Sequence, residues 1–290
     1  MYLSLNPTLT AGRVGWPGLA ELAAKVGFPG VDVDLKSAMK QGLTQTQSLF
    51  ASLKLKPAFV NLPTEYKKDD AAFNAQIGEL ADAGAFAAAI GCPRMMTYIM
   101  PSSPIPEAEL RAIYKRRLTK CADILARSHV RLGLEFLGPL HLREMFKYEF
   151  IWRMNDMLAF AKEIGPNVGL VLDAWHWYHA GATVEDIIAA GKERIVTVHF
   201  DDSAKLPPEQ IRDNQRLMPG EGVIPLVPFL HALQKIGYQD ALSVEVFGRG
   251  LDKMTPEEGA RLGLTKSREV LHKAGIPITV THALSGSTAL

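Results

Sequence analysis

Eight short apolar runs, each followed by a longer segment of helical character, constrain the fold more than any other feature of this sequence. The runs lie at residues 2–5, 31–35, 58–62, 94–100, 132–136, 169–173, 195–200 and 242–247. Strands that alternate with helices predict a parallel sheet. Eight such units are typical of a closed (β/α)8 barrel of about 250 residues. We therefore predict one α/β barrel domain over residues 1–276 and a C-terminal tail over residues 277–290.

The segments between these runs show the signals of helices. Residues 106–130 and 150–164 place apolar side chains at helical spacing, and residues 81–90 form an alanine-rich run. Thr183 with Asp186, and Thr255 with Glu258, match the capping box that opens a helix.

Composition and charge narrow the class of protein. Hydrophobic residues make up 47% and charged residues 22% of the 290 residues, which argues against disorder. The net charge of +1 gives no bias toward nucleic acid or an anionic membrane. Cys92 and Cys121 have neither metal-pair nor disulfide spacing, so we interpret them as free core thiols. We find no secretory signal and no apolar run of membrane-spanning length, and expect a cytoplasmic protein.

Four polar residues lie where the last four runs end. Glu135, Asp173, His199 and Glu245 occupy consecutive predicted strands. Because a barrel gathers the carboxyl ends of its strands at one mouth, we expect these side chains to converge there. Two residues before each of them, on the same face, lie residues that form a layer beneath the site: Gly133, Val171, Thr197 and Ser243.

Three converging carboxylates repel one another unless a cation lies among them. Oxygen ligands with one neutral imidazole suit Mn²⁺, with Mg²⁺ and Zn²⁺ as alternatives, whereas a closed structural zinc site prefers thiolates. The alternative for any single residue is an isolated polar side chain bonded to loop backbone. Four of them at one end of one barrel favour the metal site.

Further polar and aromatic residues lie near the same mouth. His176 follows Asp173, and Arg216 precedes the turn Pro-Gly-Glu-Gly. Asp201, Asp202 and Lys205 are assigned to a solvated loop, and His141, Arg143 and Lys147 to a charged loop. Trp16, Tyr98, Trp175 and Trp177 either wall a sugar-sized pocket or pack in the interior. His129, His231 and His272 are placed within helices, and His179 and His282 are left unassigned.

The second half of the chain resembles the xylose-isomerase-like TIM barrels of the sugar phosphate isomerase/epimerase type. The motifs are LEF with Glu135, LDAWHWYHAG with Asp173 and His176, VHFDD with His199, RLMPGEG with Arg216, and SVEVF with Glu245. Within that group the sequence is most similar to 2-keto-myo-inositol isomerases and ketose 3-epimerases.

The resemblance implies a metal-dependent isomerase or epimerase that acts on a ketose or cyclic keto-polyol. Glu135, Asp173, His199 and Glu245 would bind the metal, Glu135 and Glu245 would also act as acid and base, and His176 with Arg216 would hold substrate oxygens. Such chemistry is coherent: a metal bound to a carbonyl and its neighbouring hydroxyl stabilises an enediolate, and two glutamates transfer the proton. Relatives of this kind are commonly dimers or tetramers, so a homo-oligomer is expected.

Three rivals stay open. A dehydratase of the same superfamily, acting on an inosose or on 3-dehydroshikimate, needs the same metal and the same first proton abstraction. An endonuclease IV-like DNA repair enzyme requires histidines on early strands, yet no histidine precedes His129. A non-catalytic sugar-binding barrel would not require the two glutamates. Substrate identity, and whether the substrate carries a phosphate, are set by loops in which the sequence offers no recognisable motif.

Overall fold

The computed structural model describes residues 1–277, and its centre is a closed barrel of eight parallel strands. The barrel strands are β1 (Tyr2–Leu5), β2 (Gly30–Val33), β3 (Lys56–Asn61), β4 (Arg94–Ile99), β6 (Arg131–Phe136), β8 (Val168–Asp173), β9 (Ile195–His199) and β10 (Ala241–Val244). Around the barrel they follow the order β1-β10-β9-β8-β6-β4-β3-β2. The predicted single-domain (β/α)8 architecture is confirmed.

All eight predicted strands exist, and the largest boundary error falls at the last one. The prediction extends that strand to residue 247, whereas β10 ends at Val244. Beyond this point the backbone leaves the ladder, since the Val246 N–H donates to the Thr8 hydroxyl instead of to a neighbouring strand. Glu245 therefore lies just past the end of its strand.

Twelve helices surround the barrel within residues 1–277. They are α1 (Gly18–Val26), α2 (Leu35–Gln41), α3 (Leu43–Leu53), α4 (Asp70–Ile77), α5 (Leu80–Ala89), α6 (Glu107–Ala126), α7 (Leu140–Arg143), α8 (Met154–Ile164), α9 (Ala174–His179), α10 (Val184–Ala190), α11 (Leu226–Lys235) and α12 (Pro256–Lys273). Both predicted capping boxes are present, at Thr183 with Asp186 and at Thr255 with Glu258. The placement of His129 within a helix is wrong, because α6 ends at Ala126 and His129 has a left-handed φ of 56°.

A two-stranded antiparallel sheet joins the loops after β4 and β6, and nothing in the sequence predicted it. Strand β5 (Ser102–Ser103) pairs with β7 (Tyr148–Glu149). The Phe150 N–H also donates to the Pro101 carbonyl at 2.7 Å. These bonds fix two loops at the carboxyl end of the barrel, where the four polar residues converge.

The amino end of the barrel is closed by Arg94, which is 8% exposed. The last two residues of β3, Val60 and Asn61, pair with Met95 and Met96 near the start of β4. The Arg94 guanidinium donates to the carbonyls of Pro57 and Ala58 earlier in β3, and to the Asp240 carboxylate at 3.0 Å. A side chain thus replaces the missing part of the ladder.

The interior is largely apolar, apart from the polar residues toward the carboxyl end of the barrel and Arg94 at the amino end. Cys92 and Cys121 are free and buried, and burial raises the pKa of each thiol to about 12, so neither is a reactive thiolate at neutral pH. No helix within residues 1–277 is both long and apolar enough to cross a membrane. The predicted tail lies, apart from Pro277, outside the described residues, as does His282.

Candidate metal centre and substrate cavity

Four side chains predicted from the sequence meet at the carboxyl end of the barrel. One ligand atom from each of Glu135, Asp173, His199 and Glu245 lies within 4.8 Å of the others. His199 is central: its Nδ1 is 2.8 Å from Glu135, 3.2 Å from Glu245 and 3.5 Å from Asp173. They come from β6, β8, β9 and the residue after β10, four neighbours in the barrel wall.

The spacing of Asp173 and His176 has a local structural cause. Asp173 ends β8 and is the N-cap of α9, where its Oδ1 accepts a hydrogen bond from the His176 N–H at 2.9 Å. The other oxygen, Oδ2, faces the cluster. One carboxylate therefore caps the start of the helix and also places a candidate ligand oxygen in the site.

Asp201 has the same double role, and its assignment to a solvated loop is wrong. It is fully buried, accepts a hydrogen bond from the Trp175 N–H at 3.0 Å, and receives Arg216 Nη1 at 2.5 Å. The N–H groups of His176 and Trp175, which have no partner within α9, thus donate to Asp173 and Asp201 respectively. Burial, followed by the charge of Asp173, raises the pKa of Asp201 well above its usual value.

Asp202 is also buried rather than solvated, at 1% exposure. Its carboxylate accepts backbone N–H groups from Ser203, Gly220, Gly222 and Ile224 at 2.8–3.0 Å. Asp202 therefore fixes the Pro-Gly-Glu-Gly turn. Lys205 is exposed, in agreement with the prediction.

Arg216 lies between four carboxylates and is 2% exposed. Its Nη1 contacts Asp173 at 2.6 Å, Asp201 at 2.5 Å and Glu245 at 3.2 Å, and its Nε and Nη2 contact Asp213. Nη2 also donates to His176 Nε2 at 3.1 Å. Every N–H of the guanidinium has a protein partner, so a substrate oxygen would have to replace one of them.

Burial and proximity shift the pKa values of the clustered side chains. Burial raises the pKa of Glu135. Burial acts to lower the pKa of His199, but Glu245 and Glu135 outweigh it and raise that pKa well above its usual value. Burial acts to raise the pKa of Glu245, yet His199 and Arg216 lower it. Positive charge on His199 and Arg216 therefore holds these carboxylates together.

The donor set fits a divalent cation. Donors bound to one ion at about 2.0–2.2 Å lie roughly 3–4 Å apart, and the three distances from His199 Nδ1 fall close to this range. Bound there, a cation replaces the proton on His199 and supplies the charge that the carboxylates need. Oxygen and nitrogen donors suit Mn²⁺, Mg²⁺ or Zn²⁺.

A cavity of about 880 Å³ opens above this cluster. Glu135, Glu245, His176 and Arg216 border it, and so do the aromatic side chains Trp16 and Tyr98. Trp175 and Trp177 are buried packing residues, so the four aromatic candidates divide between the two interpretations.

Three aspartates that sequence reasoning left out also border the cavity: Asp32 on β2, Asp34 just after that strand, and Asp213 beside Arg216. The sequence did contain a signal for Asp32, which stands in the middle of an apolar strand and alternates with Val31 and Val33. Asp213 lies in an irregular loop, where no periodicity marks it.

The remaining histidines and basic residues have structural surroundings. His179 Nε2 lies 2.8 Å from the Ser203 hydroxyl, and His231 in α11 lies 2.9 Å from the Ala274 carbonyl. His272 is exposed in the last turn of α12. His141 and Arg143 lie in the short helix α7 and are half-buried, so their assignment to a charged loop is wrong; Arg143 stacks over the Trp152 ring at 4.0 Å.

Comparison with known sequences gives one consistent group of relatives. The inosose isomerase of Bacillus subtilis is 33% identical over 159 residues, which are 54% of this chain and 54% of that protein. The match thus spans about half the length of this relative.

Solved structures give the same result over almost the whole chain. A xylose isomerase domain protein from Alicyclobacillus acidocaldarius is 30% identical, with a TM-score of 0.87 over 95% of this chain and 99% of that one. The IOLI protein with a bound zinc atom is 25% identical, with a TM-score of 0.79 over 94% and 99%. The family model described as xylose isomerase-like TIM barrel matches residues 20–276. The chain belongs to the xylose isomerase-like TIM barrel family.

Proposed function

We propose that this protein is a divalent-metal-dependent isomerase or epimerase of a ketose or cyclic keto-polyol. The observation that supports it most is the convergence of Glu135, Asp173, His199 and Glu245 within 4.8 Å at the floor of a cavity. The name inosose isomerase of the Bacillus subtilis relative, and the zinc in the IOLI protein, support the substrate class and the metal.

Glu135 and Glu245 are proposed as the acid/base pair. They lie on non-adjacent parts of the wall, on β6 and just past β10, and both border the cavity. When bound, a divalent cation polarises a carbonyl and its neighbouring hydroxyl and makes the α-proton acidic. One glutamate removes that proton and the other returns one. Return to the opposite face of the same carbon is epimerisation, and return to the neighbouring carbon is isomerisation.

His176 is the proposed contact for a substrate oxygen. Its Nε2 accepts a hydrogen bond from Arg216, which can only donate, so Nδ1 carries a ring proton. Nδ1 is buried and has no hydrogen-bond partner within the described part of the chain. A substrate oxygen would pair this donor. Arg216, whose own donors are all engaged, orients His176 and the carboxylates.

The test is exchange of the substrate α-proton with solvent deuterium, followed by NMR on the manganese-loaded protein with an inosose as probe. We expect exchange in the wild type and a loss of at least about 100-fold in Glu135→Gln and in Glu245→Gln, because general acid–base catalysis contributes roughly 10²–10⁴ in rate. Glu144→Gln, an exposed glutamate that follows α7, is the matched control and should exchange normally.

Unchanged exchange in both glutamate variants would remove the proposed mechanism. The same spectra separate the rivals, since a dehydratase releases water and yields an unsaturated product. A barrel that binds inosose but never exchanges its α-proton would be a non-catalytic sugar-binding protein.

A further inference from the structure

A second polar cluster lies inside the barrel, beside the metal cluster, and its centre is Asp32. Asp32 Oδ1 accepts a hydrogen bond from the Ser4 hydroxyl at 2.7 Å. Its Oδ2 accepts two, from Asn6 Nδ2 at 2.8 Å and from the Ser243 hydroxyl at 2.6 Å. Strands β1, β2 and β10 thus each contribute to one buried network.

Asp32 still has room for one more donor. A carboxylate offers about four acceptor positions on two oxygens, and three are occupied here, which leaves one on Oδ1. Burial raises the pKa of Asp32 to about 6, against the opposing effect of Ser243 and Ser4, so the group is mainly a carboxylate at neutral pH. Asp32 is 5% exposed, and it borders the cavity.

Asp32 lies on the barrel strand opposite the one that ends in Asp173. In the ring of eight strands, β2 lies opposite β8, with three strands between them on either side. Ser243, which binds Asp32, lies two residues before Glu245 and therefore deeper in the barrel. Because Asp32 lines the same cavity as Glu135 and Glu245, a six-membered polyol held at the two glutamates would bring some of its remaining hydroxyls to the β2 side of that cavity.

Of the residues on β3 and β4 that border the cavity, Phe59 and Met96 are apolar, whereas Asn61 and Tyr98 are polar but exposed. Asp32 differs from them because it is a buried carboxylate. A buried carboxylate is costly to retain where packing alone is required, because apolar residues of similar size fill such positions equally well. The acceptor position left open on Asp32 Oδ1, at the cavity wall, is explained by a donor on the ligand.

We propose that Asp32 is a substrate-binding residue that accepts a hydrogen bond from a ring hydroxyl of a cyclic keto-polyol, and so selects polyhydroxylated substrates over deoxygenated ones. This role rests on the proposed function for its substrate class. It adds a residue from the first half of the barrel to a site otherwise formed by the second half.

The experiment measures binding by calorimetry to the manganese-loaded protein, with an inosose and each of its monodeoxy analogues as probes. In the wild type, one analogue should bind at least about 10-fold more weakly than the parent, since a hydrogen bond to a charged group contributes roughly 1.5–3 kcal/mol. Asp32→Asn should bind the parent inosose as weakly as the wild type binds that analogue. The variant should bind the analogue no more weakly than it binds the parent.

Ser4→Ala is the matched control. It removes one hydrogen bond to Asp32 but does not border the cavity, so any loss of affinity should be the same for parent and analogues. If Asp32→Asn weakens the binding of the parent and of every analogue by the same factor, Asp32 is a structural residue and the proposal is overturned. If Asp32→Asn fails to fold, the binding series with the wild type decides. The proposal is overturned if none of the monodeoxy analogues binds selectively more weakly than the parent inosose.

The two proposals fail in different ways. Wild-type protein that binds inosose selectively through one hydroxyl, yet does not exchange the α-proton, refutes the catalytic function and leaves the role of Asp32 intact. Wild-type protein that exchanges the proton but tolerates loss of every ring hydroxyl refutes the role of Asp32 alone. Failure to bind any inosose overturns the role of Asp32, whereas α-proton exchange on a ketose would then still support the catalytic function.

Discussion

Arg216 shows how a single buried residue allows so many carboxylates to share one place. Asp173, Asp201, Asp213 and Glu245 all contact its guanidinium, and they raise its pKa well above the usual value even though burial opposes this. Burial also acts to raise the pKa of Asp173, but Arg216 and then His176 lower it well below its usual range. The anionic character of the site therefore depends on this one cation.

Removal of that cation should destabilise the whole protein. In Arg216→Gln, the four carboxylates lose their common partner, and loss of one member of a buried ion pair costs about 3–5 kcal/mol. Urea denaturation measures the change in unfolding free energy. Arg212→Gln, an exposed arginine in the same loop, should change it by less than about 0.5 kcal/mol. Equal changes in unfolding free energy for both substitutions would show that the ion cluster around Arg216 does not stabilise the protein.

His179 gives a pH dependence of stability with a defined sign. Burial, and then the neighbouring His176, lower the pKa of His179 from 6.5 to about 4 in the folded protein. Between these values the unfolded chain binds more protons than the folded one, so stability rises with pH. The contribution is complete above about pH 6.5 and declines as the pH falls toward 4.

The measurement compares urea midpoints at pH 7 and pH 5 in the wild type and in His179→Asn. The variant should lose less stability on acidification than the wild type, because it lacks the group that takes up the proton. His272→Asn, on the exposed surface of α12, should behave as the wild type does. A variant as acid-sensitive as the wild type would exclude His179 as a source of the effect.

At the level of elements, the loop after β9 depends on Asp202 for its shape. Gly222 packs so closely that a Cβ would lie 2.1 Å from the Ser203 carbonyl oxygen and 2.5 Å from Asp202 Oδ1. The loop then continues to Asp213 and Arg216, which contact the site. A side chain remote from the cavity therefore orients residues that border it.

Asp202→Asn should loosen this loop, since one amide nitrogen would face backbone N–H donors. Each buried donor left without a partner costs about 1–3 kcal/mol, so we expect a lower unfolding free energy and faster proteolysis between residues 203 and 222. Glu209→Gln, an exposed acid in the same loop, is the control. Proteolysis at the wild-type rate in Asp202→Asn would contradict the proposed role.

At the scale of the whole molecule, the barrel was predictable because strand periodicity and polar strand ends are local signals. Glu135, Asp173 and His199 were found in this way, and so was Glu245, although β10 ends one residue before it. Asp201 was missed because its burial depends on Arg216, which lies 15 residues further along the chain. The network of Asp32 was missed because it joins residues as far apart as 4 and 243.

The barrel brings four neighbouring wall positions to a single point, and the central claim is that one divalent cation binds there. Metal content after loading with Mn²⁺ and dialysis, measured by mass spectrometry, tests this most directly. We predict one ion per chain in the wild type and in Glu144→Gln, and no retained ion in His199→Ala, whose imidazole is central to the cluster. One retained ion per chain in His199→Ala, or none in the wild type, would contradict the account.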